Sequence, residues 1–105
     1  MTARARLEKL LDAGKDSATL RFALGSELLK ENANALAIRH LRAAVDMEPG
    51  YSAAWKLLGR AQAAAGLPAD ARESFTRGIA VAAERGDEQA VREMRVFLRR
   101  LEREA

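Results

Sequence analysis

Apolar residues along this chain recur every three or four positions, in six stretches separated by breaks that carry glycine, asparagine or proline. That spacing predicts amphipathic α-helices. Leu7, Leu10 and Leu11 define a leading helix over residues 3–13, which Gly14 can end through its tolerance of a left-handed backbone. Asp16 or Ser17 then caps a helix from Ala18 to Glu31, where Leu20, Leu24 and Leu28 form one stripe and Phe22 and Leu29 another. A lone surface helix needs one apolar face, so two faces point to a helix that touches both its own partner and a neighbouring unit. The leading helix is expected to supply that second contact. Residues 35–47 continue the pattern with Leu36, Ile38, Leu41 and Val45 and stop at Pro49-Gly50, since proline disfavours helix in the residue before it.

Ser52 is the expected cap of the next helix, whose buried stripe reads Trp55, Leu58, Ala61 and Ala65. Gly66 ends that helix, and Pro68 opens the following one, which runs to Glu84 with Ala71, Phe75, Ile79 and Ala82 inward. Gly86-Asp87 supplies a stop and a new cap for a closing helix over 87–104, with Val91, Met94, Leu98 and Leu101 at helical spacing.

The middle four helices repeat. Residues 18–51 and 52–85 carry one pattern 34 residues apart: Leu24-Gly25 recurs as Leu58-Gly59, Ala37 as Ala71, and Leu41 falls opposite Phe75. Small residues stand where helices must approach closely and large ones where the space between helices must be filled. In order and spacing, Trp55, Leu58, Gly59, Ala71 and Phe75 of the second copy resemble the tetratricopeptide repeat family. The first copy supplies Leu24, Gly25, Ala37, Leu41, Ala44 and Pro49 at the matching places. Departures exist: Arg21 replaces the family's Trp, Leu28 and Gln62 replace its Tyr, and Gly78 and Ala83 replace its later Ala and Pro. The resemblance implies a single all-α domain over 1–105, a right-handed superhelix of antiparallel helical hairpins flanked by the leading and closing helices. It further implies a non-catalytic scaffold that binds a peptide or protein surface. In the 34-residue register none of the repeat's signature residues falls on the closing helix, which is read as a cover for the open end of the stack.

Composition narrows the remaining possibilities. With 49% apolar and 31% charged residues, 2 prolines and few aromatics, the chain suits a helical domain rather than a sheet. Cysteine is absent, so disulfides, thiolate metal sites and a thiol nucleophile cannot form. No apolar run approaches a signal peptide or the roughly 20 residues of a spanning helix, and a cytoplasmic protein is expected. The net charge of +3 admits an acidic partner, but 18 basic side chains mix with 15 acidic ones along most helices.

The resemblance also implies a concave groove lined by the first helices of successive hairpins: Thr19, Phe22, Ser26, Leu29 and Lys30 from one copy, Ala53, Lys56, Arg60 and Ala64 from the other. Some family members clamp the carboxylate of a partner's C-terminal tail with a groove lysine and asparagines. Lys56 matches the lysine, whereas Arg60 and Ser26 stand where asparagines would, so the implied clamp is partial. Lys56 and Arg60 are candidate anion-binding groups; the alternative is two solvated charges one helical turn apart. Phe22 and Leu29 are groove candidates, with core packing or cover by the leading helix as alternatives.

Arg92, Arg95, Arg99 and Arg103 form a candidate basic patch on the closing helix, with Arg100 beside them. Phosphate, acidic peptide or nucleic acid could be drawn there, yet Glu88, Glu93, Glu102 and Glu104 dilute the charge and no exposed aromatics are interleaved for base stacking. A solvated face is the plainer alternative, and nucleic acid is not the expected partner. His40 is the only histidine and is read as a boundary residue. No glycine-rich phosphate loop, catalytic constellation, cofactor motif or metal cluster is present, so neither an enzyme nor a cofactor is expected. Self-association into a homo-oligomer stands as the structural alternative to partner binding.

Overall fold

The turns set the architecture. After four of the helices the chain passes through a residue with positive φ: Gly14 at 81°, Asn32 at 60°, Gly66 at 77° and Gly86 at 73°. In each, the next amide donates to the carbonyl five residues back, as Lys15 to Leu10 at 3.0 Å, Ala33 to Leu28 at 2.9 Å, Leu67 to Gln62 at 2.9 Å and Asp87 to Ala82 at 2.8 Å. This closure satisfies the last carbonyls of a helix and reverses the chain. Asn32 does in the first repeat what Gly66 does 34 residues later, because asparagine is among the few residues that accept the left-handed region cheaply.

A computed structural model describes residues 1–104, among which there are six α-helices and no strand. They are α1 (Ala3–Asp12), α2 (Ala18–Lys30), α3 (Asn34–Met47), α4 (Ser52–Ala64), α5 (Pro68–Glu84) and α6 (Glu88–Glu104). The fold is all-α and of the tetratricopeptide type. Helix α2 packs with α3 and α4 with α5; α3 joins the two pairs by packing on α4, and α6 lies against α5 and α4. Helix α1 packs on α2 alone. The resulting stack measures 40 × 29 × 19 Å.

Glycines set the helix spacing inside each pair. A Cβ on Gly25 would collide with the Leu41 side chain, and one on Gly59 would stand 2.6 Å from Phe75 Cε1. Gly78 does the same in the next layer, where a Cβ would meet Trp55 Cβ at 2.9 Å and the Met94 thioether. Two apolar clusters result. One gathers Leu28, Leu41, Val45, Trp55, Leu57 and Leu58, and the other gathers Phe75, Ala82, Val91, Met94 and Leu101.

Gln62, at the family's tyrosine place, is buried, and its amide is satisfied locally. Its nitrogen donates to Ser74 Oγ at 2.6 Å and the Asp70 carbonyl at 3.1 Å, while its oxygen accepts from Arg42 Nη2 at 3.0 Å. A buried amide with such partners ties three helices together without leaving an orphaned polar group.

Some local expectations need correction. Ser52 does not cap α4: Tyr51 occupies the cap position without a side-chain hydrogen bond, and its carbonyl accepts from the amides of Ala54 and Trp55, both at 3.1 Å. Ala65 is exposed, because it has already left the helix as the C-terminal cap. Helix α1 ends at Asp12, with Ala13 as its cap, one residue short of the expected limit. Of the two proposed caps for α2, Ser17 accepts from the Leu20 amide at 3.0 Å, while Asp16 is engaged with Arg21.

Candidate binding groove

Helices α2, α4 and α6 begin at caps Ser17, Tyr51 and Asp87, which lie 34 and 36 residues apart. The extra spacing comes from α5, which has 17 residues where α3 has 14. Counted from its cap, α6 therefore does follow the repeat: Val91 takes the place of Trp55, Met94 that of Leu58 and Leu98 that of Gln62. Only the small residue is missing, since Arg95 stands where Gly25 and Gly59 stand. Val91 and Met94 are buried and Arg95 is exposed. Helix α6 thus keeps the register of a repeat's first helix, with the exposed Arg95 at the place of the small contact residue.

The same register arranges the candidate groove residues in rows. Five residues after each cap come Phe22, Lys56 and Arg92; nine after come Ser26, Arg60 and Val96; twelve after come Leu29, Ala63 and Arg99. Phe22, Ser26, Leu29 and Lys56 are half-buried, and the other five are exposed. Phe22 and Leu29 pack at the edge of the first cluster, and the Phe22 ring lies 5.0 Å from that of Tyr51 with a 32° tilt. The leading helix does not reach α4, so Phe22 and Leu29 owe their cover to α4 and the loop before it. Burial pushes the Tyr51 hydroxyl above its ordinary pKa of 10.0, with Glu48 adding to the effect, so the phenol stays protonated at neutral pH.

Lys56 and Arg60 turn toward α6. Lys56 Nζ donates to Glu93 Oε1 at 3.3 Å, and the Arg60 guanidinium lies 5.5 Å from the centre of the Phe97 ring. Arg100 lies 5.6 Å from the same ring. Phe97 in turn stacks on Phe75 with centroids 5.5 Å apart and planes within 9°. Arg92, Arg95, Arg99 and Arg103 are all exposed, and among the described residues none of the four forms an ion pair. The register separates them: Arg92 and Arg99 share rows with Lys56 and Ala63, whereas Arg95 holds the vacant contact position.

Tyr51, Glu93 and Phe97 touch candidate groove residues and Arg100 touches Phe97, contacts that the sequence pattern alone does not mark for these four. The signal for three of them is the cap at Asp87, which resets the count by two residues; a strict 34-residue period hides it.

Away from the groove, Asn34 Oδ1 is buried without a hydrogen-bond partner, while Arg21, Asp16 and His40 are paired locally. Arg21 donates to Asp16 Oδ1 at 2.8 Å and Oδ2 at 3.0 Å, and its Nη1 lies 3.1 Å from His40 Nδ1. Hydrogen bonding to Arg21 holds the Asp16 carboxyl below its ordinary pKa, and burial, then Arg21 and Arg39, lowers that of His40. Among the described residues no group of three or more His, Cys, Asp or Glu gathers as a metal site. No described helix is long and apolar enough to cross a membrane.

Such a stack, with small residues at each hairpin contact, defines a helical-repeat protein. The tetratricopeptide repeat family model matches residues 28–92. A TPR repeat-containing protein of Pseudomonas aeruginosa is 50% identical over 97 residues, 92% of each chain. The solution structure of a Bordetella parapertussis protein superposes with a TM-score of 0.86 at 45% identity, covering 99% of this chain and 90% of that one. A crystal structure of a tetratricopeptide repeat domain protein from Salinibacter ruber gives 0.76 at 25% identity, over 83% and 97% of the two chains. The chain belongs to the tetratricopeptide repeat family. Proteins of this family are in general interaction modules and non-catalytic scaffolds.

Proposed function

We propose that this chain is a non-catalytic binding module that holds a peptide or protein segment along the row formed by α2, α4 and α6. The observation that carries the reading is the grading of that row. Its α2 end offers Phe22 and Leu29, and its α4 and α6 end offers Lys56, Arg60, Arg92 and Arg99. An apolar anchor beside a row of cations suits a partner with a hydrophobic side chain at one end and acidic ones along the rest, since complementary charge fixes orientation and speeds encounter. Only a fraction of the cationic charge is committed internally, because Glu93 compensates Lys56 alone.

Affinity capture from the cells that make the protein tests the reading, with the native chain compared with a Lys56→Ala, Arg60→Ala double variant. At least one partner is expected to be retained by the native chain and recovered several-fold less by the variant. Equal recovery by both removes the groove from the account. Sedimentation of the purified chain across a concentration range separates this from self-association, which predicts a mass that rises with concentration.

A further inference from the structure

The junction between α4 and α6 contains something that the α2–α4 junction lacks. Two guanidinium groups, from Arg60 and Arg100, converge on the single ring of Phe97, at 5.5 and 5.6 Å from its centre. The same counts from the caps put Ser26, Ala61 and Ala64 at the equivalent places of the first junction, where no cation and no ring is found. The repeat fold therefore does not require this arrangement. Among the described residues neither arginine forms an ion pair. A guanidinium resting on an aromatic ring is oriented by it, while N–H donors along its edge stay free to grip a carboxylate bidentately. Two such groups held together repel each other until an anion lies between them.

These groups line a cleft of about 180 Å³ whose apolar floor is Phe75, Phe97 and Leu101. A second cleft of about 330 Å³ adjoins it across Ala63 and Leu101 and continues past Pro68 and Ala69 to Arg72. We infer that this double cleft binds an internal segment of a partner polypeptide that carries an acidic side chain next to a large apolar one. The carboxylate sits between Arg60 and Arg100, and the apolar side chain lies on Leu101 and Pro68. Two adjoining clefts with shared walls let a chain enter one and leave by the other, which suits an internal segment rather than a chain end. Glu104 lines both clefts, four residues after Arg100, and competes for the same cations. The inference rests on the binding-module reading for the partner's being a polypeptide, but it does not use Lys56.

The test is a titration of the ¹⁵N-labelled chain with three capped or uncapped hexapeptides. The probe is acetylated and amidated, with glutamate beside leucine; the first control has glutamine in place of glutamate, and the second is that neutral peptide with a free C-terminal carboxylate. The expected result is that the acidic probe shifts the amide signals of Ala63, Phe97 and Leu101, and that added salt weakens it. Arg60→Gln with Arg100→Gln, both exposed and compatible with an unchanged circular dichroism spectrum, should weaken it at least tenfold. Glu104→Gln should strengthen it two- to threefold by removing the competing carboxylate. Equal binding of the neutral capped peptide, binding only of the free-carboxylate peptide, no binding of the acidic probe, or indifference to the arginine substitutions would each overturn the inference. If Lys56→Ala reduces capture of partners while Arg100→Gln leaves both capture and peptide binding unchanged, the cleft is rejected and the groove stands.

Discussion

The two junctions of this stack are built on one plan and lined with opposite chemistry. Between α2 and α4, Phe22 meets Tyr51 and Leu57 is buried within the first cluster. Between α4 and α6, Lys56 replaces Phe22, Asp87 replaces Tyr51 and Glu93 replaces Leu57, position for position from the caps. The stack nevertheless keeps one plan, because the helices interlock deeper, at Gly25 against Leu41, at Gly59 against Phe75 and at Gly78 against Trp55 and Met94. The lesson is a division of labour: a few small–large contacts hold the repeat together, and the outer rows are free to vary. The first junction uses its outer rows for burial and the second uses them for charge.

The strongest way to break this comparison is to remove the deep contact. Phe75 is buried, fills the space over Gly59 and carries the stack on Phe97, so Phe75→Ala should cost about 3–5 kcal/mol in chemical denaturation. A loss under about 1 kcal/mol would show that α6 is held by its outer row after all. Overfilling the same contact is the next largest effect. Gly59→Leu must push Phe75 aside, and a destabilisation of about 1–3 kcal/mol is expected, read as a lower thermal midpoint. An unchanged midpoint would mean that the helices can separate without penalty.

These deep contacts are the legible features of the chain. Leu24-Gly25 and Leu58-Gly59, with Leu41 and Phe75 opposite, announce close helix pairs because only a glycine admits that approach, and the spacing of leucines fixes the buried stripes. The cap of α4 departs from expectation for a physical reason: Ser52 is a favoured cap residue, but Tyr51 adopts the cap conformation and its backbone carbonyl alone starts the helix. The rows of α6 are hidden by a length that sequence does not mark. Helix α5 continues through Ala80, Ala83 and Glu84, which are exposed good helix formers with no packing signal, and so shifts the third count by two residues. Side-chain pairing, such as Arg60 and Arg100 on one ring, depends on that shift and cannot be placed until it is known.

The comparison is sharpened by rewriting one junction as the other. Lys56→Phe with Glu93→Leu gives the second junction the outer row of the first. The Lys56–Glu93 pair is partly exposed, with 25% and 44% of its side chains accessible, and such pairs contribute between nothing and about 1 kcal/mol. The apolar replacements bury additional surface, so a net gain of about 1 kcal/mol is expected in denaturant titration. Captured partners should be lost at the same time. A variant that is less stable would show that the charged row supports the fold, and one that keeps its partners would show that it does not serve recognition.

The smallest expected effect comes from the other side of the first repeat. Arg21 holds the place of Trp55 and His40 that of Ser74, so a hydrogen-bonded polar pair stands where the second repeat has a buried indole and a buried hydroxyl. Among the described residues helix α1 alone packs outside α2 there, and a partly solvated arginine is tolerated where an interior repeat would carry an apolar ring. His40 accepts from Arg21 only while neutral. Burial, Arg21 and Arg39 lower its pKa from 6.5, against the opposing pull of Glu8 and Asp16. Between the folded pKa and 6.5 the unfolded chain binds more protons, so stability rises with pH through that window and is lost as pH falls below 6.5. Asp16 responds only lower, below its ordinary 3.8, so the two windows do not overlap at mildly acid pH. A lower thermal midpoint in mildly acid than in neutral buffer is expected for the native chain, and a smaller difference for His40→Gln. Equal slopes in the two proteins would place the pH response outside the first repeat and leave Arg21 and His40 as independent surface groups.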